Sequence, residues 1–180
     1  MTEERVFTPE NICFESWDQF FMSMAFFVGM KSKDRSTKVG AIIATPEHRL
    51  VSMGYNGFPK GTDDDDPALH ERPRKYLRVI HAERNAMNVA EKSKLAGSTL
   101  YTPWLPCAHC AADICQNDIT EVVYYYSIDE GMPNWTESIR EGLDMMSQKG
   151  VLVRQCEDEV YDKGILVMSS GRIARPRRKR

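Results

Sequence analysis

Apolar residues recur at helical spacing across residues 13–33, where Phe14, Trp17, Phe20, Phe21, Met24, Phe27 and Val28 mark a first helix. Pro9 and Asn11 ahead of them suit a helix start. The period then shortens. Residues 38–45 (KVGAIIAT) are compact and β-branched and read as a strand; residues 46–49 read as a hairpin turn and 50–55 as the returning strand. From 56 to 77 the pattern breaks. Gly57, Pro59, Gly61, the run Asp63 to Asp66, Pro67 and Pro73 all discourage regular structure, and a loop of this length inside a compact domain is often functional.

Beyond the loop, helices and strands alternate. Residues 81–92 read as a helix, 98–102 as a short strand, 107–116 as a helix and 121–126 (EVVYYY) as a buried strand. Residues 135–148 are amphipathic, with Ile139, Leu143 and Met146 on one side, and Gly150 closes that helix before a last strand at 151–154. The order predicts an α/β protein in three α/β/α layers around a central mixed sheet of about five strands. At 180 residues this is one domain over 1–168, followed by a basic tail, 169–180, expected to be disordered.

Two short motifs carry chemistry. His81-Ala82-Glu83 puts an imidazole and a carboxylate two residues apart at a helix start; Pro106-Cys107-Ala108-His109-Cys110 puts two thiols at another. Helix N-termini favour thiolates. His81, Cys107 and Cys110 make three ligands for zinc, which leaves the fourth tetrahedral position for water, the mark of a catalytic rather than a structural site. Glu83 is placed to take the water's proton and hand it on. His-x-Glu followed by Pro-Cys-x-x-Cys is the signature of zinc deaminases acting on cytosine or adenine. His109 lies between the thiols, and its side chain is expected to point away. Cys115 and Cys156 are expected in the core.

Five cysteines, an odd number at uneven spacing, argue against a disulfide framework and fit a reducing compartment. No apolar run approaches the roughly 18 residues of a membrane span, and residues 1–10 lack the pattern of a secretory signal, so a cytoplasmic location is expected. Charge is uneven. Arg172, Arg175, Arg177, Arg178, Lys179 and Arg180 crowd the last nine positions, and taking six positive charges from the net of −2 leaves −8 on the rest. A body so acidic argues against a long nucleic-acid substrate, although the tail favours one. Lys33, Arg35, Lys38, Lys60, Arg72, Arg74 and Lys75 are the cations available to a phosphate.

Further stretches carry a resemblance. Ser32-Lys33-Asp34, 37–41 (TKVGA), 54–59 (GYNGFP) followed by Gly61, 81–86 (HAERNA), 99–101 (TLY) and 119–124 (ITEVVY) together resemble the deoxycytidylate (dCMP) deaminases of the cytidine deaminase-like fold. The resemblance implies hydrolysis of dCMP to dUMP and ammonia with catalytic Zn2+. It implies that Asn56 contacts the sugar; from the residues themselves, Lys33 is the cation expected at the phosphate, and Tyr126, which shares a strand face with Tyr124, is expected to close over the base unless Tyr124 does. It also implies a dCTP or dTTP effector with Mg2+ around Gly54, Asn56, Gly57 and Gly61, and a homo-oligomer, a hexamer. The chain departs from the family pattern at Trp104-Leu105 and Ala108-His109. A deaminase of single-stranded nucleic acid or transfer RNA, and a zinc-stabilised module without activity, are the competing readings.

Overall fold

The computed structural model describes residues 13–128, 133–160 and 165–176. Helix α1, Trp17–Gly29, begins where the Ser16 hydroxyl accepts from the Gln19 amide at 2.9 Å, an N-cap later than the expected start. The expected start at Pro9 and Asn11 lies outside the described residues. Strands β1 (Gly40–Ala44) and β2 (Leu50–Tyr55) pair antiparallel as the turn between them predicts. The expected loop is interrupted by a 3-10 turn, Pro67–His70, and a short helix α2, Arg74–Arg78. The turn is capped by Asp66, one of the four aspartates read as loop-forming.

Next come α3 (Ala82–Val89), β3 (Thr99–Trp104), α4 (Ala108–Gln116), β4 (Glu121–Tyr126), α5 (Thr136–Lys149) and β5 (Leu152–Gln155). The sheet order is β2-β1-β3-β4-β5; β1 runs antiparallel to β2 and β3, while β3, β4 and β5 are parallel. This is the mixed five-stranded sheet expected. Gly150, at φ 79°, ends α5 in the left-handed region that a Cβ disfavours.

Strand periodicity sorts the core. Ile42 and Ala44 face α1, together with Tyr101, Val123 and Tyr125. Ala41 and Ile43 face the opposite side with Leu100 and Val122, under α3, α4 and Met146 of α5. The result is three layers. At Gly54 the layers touch backbone to backbone: a Cβ there would lie 2.3 Å from the Ala86 amide nitrogen and 2.5 Å from the Ala82 carbonyl oxygen. α3 therefore sits directly on β2.

The tail departs from expectation. Val167–Ser169 (β6) and Arg172–Ala174 (β7) form an antiparallel hairpin, and the buried Val160, Ile165 and Val167 join the core beneath α1. Basic residues had marked this segment as a solvated end; the apolar Ile165 and Val167 just ahead of them are what fix it. Residues 177–180 lie outside the described residues.

Candidate metal centre and nucleotide pocket

Two helix starts build the centre. Gly57 and Ile80 exchange both backbone hydrogen bonds, at 2.8 and 3.0 Å, and deliver the chain into His81, the N-cap of α3. β3 runs through Trp104 to Cys107, the N-cap of α4. Neither N-cap side chain caps its own helix. Both turn inward, and the Ala108 amide is instead capped by the Ser138 hydroxyl of α5 at 3.1 Å.

His81 Nδ1 lies 3.4 Å from Cys107 Sγ and 3.4 Å from Cys110 Sγ, and all three donor atoms fall within 4.8 Å of one another. Tetrahedral zinc, with Zn–S of about 2.3 Å and Zn–N of about 2.0–2.1 Å, sets N···S separations near 3.5 Å. The donor set fits such an ion in both chemistry and spacing. Among the described residues this is the one cluster of the kind.

Electrostatics follow from burial and proximity. The hydrogen bond with the Cys110 thiol, helped by His81, holds the Cys107 thiol far below its ordinary range despite burial, while Cys110 moves the opposite way. Burial lowers the His81 pKa, and the Cys107 and Glu83 charges beside it more than reverse that. Glu83 is buried in the first turn of α3, and burial pushes its carboxyl up, so it holds a proton more readily than an exposed glutamate.

The centre opens into a cavity of about 170 Å³. His81, Glu83 and Cys107 line it together with Leu105, Ile139, Val39 and the aromatic Trp104, Tyr76 and Trp135. Trp135 meets His81 edge to face, ring centres 5.3 Å apart. Sequence reading took Trp135 only as a helix start; nothing local marks it, because its partner lies 54 positions away.

The structure distributes the expected substrate residues unequally. Asn56 lines the cavity, but its amide is engaged: Oδ1 accepts from the Val39 amide at 2.8 Å, and Nδ2 donates to the Thr37 carbonyl at 2.9 Å and to Asp34 at 3.3 Å. Tyr126 is buried against Phe26 and Trp104 and is not among the lining residues; at the end of β4 it backs Trp104. Lys33 is exposed and faces Asp64 and Asp65 at 3.8 and 3.5 Å, outside this cavity. Lys33 instead lines a second groove of about 510 Å³ with Gly54, Gly57, Gly61, Asp64 and Asn85, so three of the four expected effector residues meet there and Asn56 does not.

His109 is exposed, as expected, and Cys156 is buried, while Cys115 is only partly so. Lys75, read as one of several loop cations, is buried and bonded to Asp34 at 2.7 Å. Burial pushes the Asp34 carboxyl up, but the Lys75 ammonium and the amides of Thr37 and Ser36 outweigh it and hold it below its ordinary value.

A three-layer α/β/α domain with a His-Cys-Cys centre and a buried glutamate defines a zinc deaminase class. The family model for the cytidine and deoxycytidylate deaminase zinc-binding region matches residues 15–126, and the chain belongs to that family. It is 42% identical over 137 residues to a deaminase encoded in the luxG 3′ region of Aliivibrio fischeri, covering 76% of this chain and 91% of that protein. It is 37% identical over 123 residues to human deoxycytidylate deaminase, covering 63% of this chain and 69% of that one. Among solved structures, the dCMP deaminase of cyanophage S-TIM5 in complex with dCMP and dUMP matches at TM-score 0.57 and 25% identity, over 83% of this chain and 99% of that one.

Proposed function

We propose that this chain catalyses the hydrolytic deamination of dCMP to dUMP and ammonia, with Zn2+ held by His81, Cys107 and Cys110 and Glu83 as the proton carrier. One observation carries it: the imidazole and both thiols converge at zinc spacing, with the buried Glu83 in the same cavity wall. The relatives named deoxycytidylate deaminase, and the cyanophage enzyme in complex with dCMP and dUMP, support the choice of nucleotide.

Zinc, when bound, supplies the Lewis acidity that makes water a nucleophile near neutral pH. Glu83 removes one proton from the attacking water and gives it to the ring nitrogen beside C4; it then takes the second proton of that oxygen and delivers it to the departing exocyclic amine. The water oxygen bonds to C4, the C4–N bond breaks, and ammonia leaves. A carboxyl raised by burial suits both halves of that exchange. Trp135, Leu105 and Ile139 give the base an apolar wall and keep out competing water.

Regulation by dCTP and dTTP with Mg2+ is part of the same proposal. It is supported by the second groove, where Gly54, Gly57 and Gly61 bring backbone to a wall that also carries Lys33 and Asp64. We further propose a homo-oligomer, a hexamer, working in the cytoplasm. The exposed Leu50, Met53 and Tyr55 of the edge strand β2 and Trp17 and Phe27 of α1 support assembly. Among the described residues, no helix is long and apolar enough to cross a membrane.

The test is ammonia release from zinc-loaded protein with dCMP, dCTP, deoxycytidine and a cytosine-containing single strand, with and without dCTP and dTTP. Preference for dCMP, raised by dCTP and lowered by dTTP, is the expected result. Turnover of the oligonucleotide alone would replace the substrate and keep the zinc chemistry.

A further inference from the structure

Part of the cavity wall belongs neither to the metal triad nor to the apolar wall. Ser36, Thr37, Arg72, Lys75 and Ser170 belong to it, with Asp34, Asn56 and Asn134 beside them. Ser170 comes from the C-terminal hairpin, which lies beyond the family match at 15–126. Three bonds fasten that hairpin across residues 36–38. The Lys38 amide donates to the Met168 carbonyl at 2.9 Å, the Gly171 amide to the Ser36 carbonyl at 2.7 Å, and the Ser170 amide to Thr37 Oγ1 at 3.3 Å. Ser170 and Gly171 have φ of 48° and 76°, the pair of left-handed residues that closes a two-residue hairpin. The turn therefore holds Ser170 at the cavity through its backbone.

An aromatic run leads from the metal triad to a cation. The Arg72 guanidinium lies 5.3 Å over the Tyr76 ring; Tyr76 meets Trp135 at 5.9 Å, and Trp135 meets His81 at 5.3 Å. A flat base laid along this wall with its reacting carbon at the metal would carry its sugar and phosphate towards Arg72. Local charge there is positive, with Arg72 and Lys75 against Asp34.

We infer that Arg72 and the hydroxyls of Thr37 and Ser170 receive the phosphate of the nucleotide, which makes the C-terminal hairpin part of the substrate site. The inference rests on the nucleotide reading proposed above. A phosphate offers only acceptors to its neighbours, and Arg presents donors in a planar fork that matches two of its oxygens. Thr37 Oγ1 accepts from the Ser170 amide, so its hydroxyl hydrogen is the one it can turn to a ligand. Lys75 is engaged by Asp34 and Ser36 and contributes charge rather than a directed contact. Cytidine nucleosides would fit the same base wall and leave this end unfilled.

The experiment compares zinc-loaded wild type, Arg72→Gln and Ser170→Asp in two readouts: calorimetric affinity for dUMP against deoxyuridine, which involves no turnover, and KM and kcat for dCMP against deoxycytidine. Aspartate tolerates the left-handed turn position, so Ser170→Asp keeps the hairpin while placing a carboxylate at the phosphate. Each variant should cut the dUMP-over-deoxyuridine affinity ratio at least about tenfold, raising KM for dCMP and leaving kcat and deoxyuridine affinity within about twofold. An unchanged ratio in both variants, or equal binding of dUMP and deoxyuridine by wild type, overturns the inference while dCMP turnover keeps the deaminase reading. A protein that neither binds dUMP nor turns over dCMP overturns both.

Discussion

Glu83 and Asp34 are both buried carboxyls beside cations or proton donors, yet their surroundings push them in opposite directions. Glu83 is displaced upwards by burial, Asp34 downwards by Lys75 and two amides. Glu83→Gln should fold, retain one zinc by elemental analysis and lose at least about a hundredfold in kcat, the share that a positioned proton carrier supplies. Asp34 is a matter of stability. Its folded pKa lies below its ordinary 3.8, so between the two the unfolded chain binds more protons, and stability falls as pH drops through that window. The contribution is complete above the ordinary value. Urea unfolding from pH 6 down to 2 should show the loss in wild type, and a flatter response in Asp34→Asn. Asp34→Asn should itself cost about 3–5 kcal/mol, because it strands the buried Lys75 charge, and adding Lys75→Met should return much of it.

At the scale of elements, local rules reached most of the sheet and its helices. β1, β4 and β5 lie close to stretches where β-branched residues cluster, β2 follows from the turn before it, and the two candidate metal motifs mark the starts of α3 and α4 within a residue. What was lost has physical reasons. Lys75 resembles any other loop cation in one dimension, and only the fold brings Asp34 to it across 41 positions. The Ser170-Gly171 pair is a turn signal, but one short pair among basic residues does not announce a hairpin that packs on the core. Trp135, Arg72 and Ser170 enter the pocket from segments far apart in the chain, with no shared motif to announce them. Contact between elements also makes a prediction. Gly54→Ala would press a methyl group into the backbone of α3, whose first turn carries Glu83. Thermal unfolding should show a loss of about 1–3 kcal/mol, and kcat should fall although the substituted residue is not in the main cavity.

For the whole molecule, apolar spacing on the first helix and across residues 135–148 marks apolar faces without saying what covers them. Trp17 and Phe27 of α1 are exposed; in α5, Ile139 and Met146 point into the core, and further exposed apolar side chains lie on β2 and at Leu77, Val89, Leu152 and Ile173. Amphipathic spacing marks a helix with an apolar face but does not say whether that face meets a partner or its own sheet. Zinc bound as proposed, between two helices and a strand exit, should count in the stability of the whole chain. Adding a zinc chelator should lower the thermal midpoint by several degrees, and restoring Zn2+ should recover it, as read by calorimetry.

His81 and Cys107 occupy N-cap positions where serine, threonine or aspartate would ordinarily satisfy the first amides of a helix. Their side chains face each other instead, and at α4 the Ser138 hydroxyl takes over the cap. A metal bound between His81 and Cys107 would tie the opening of the first turns of α3 and α4 together. Hydrogen exchange in the zinc-loaded protein should then protect the first-turn amides of both helices to a similar degree, and zinc removal should release them together.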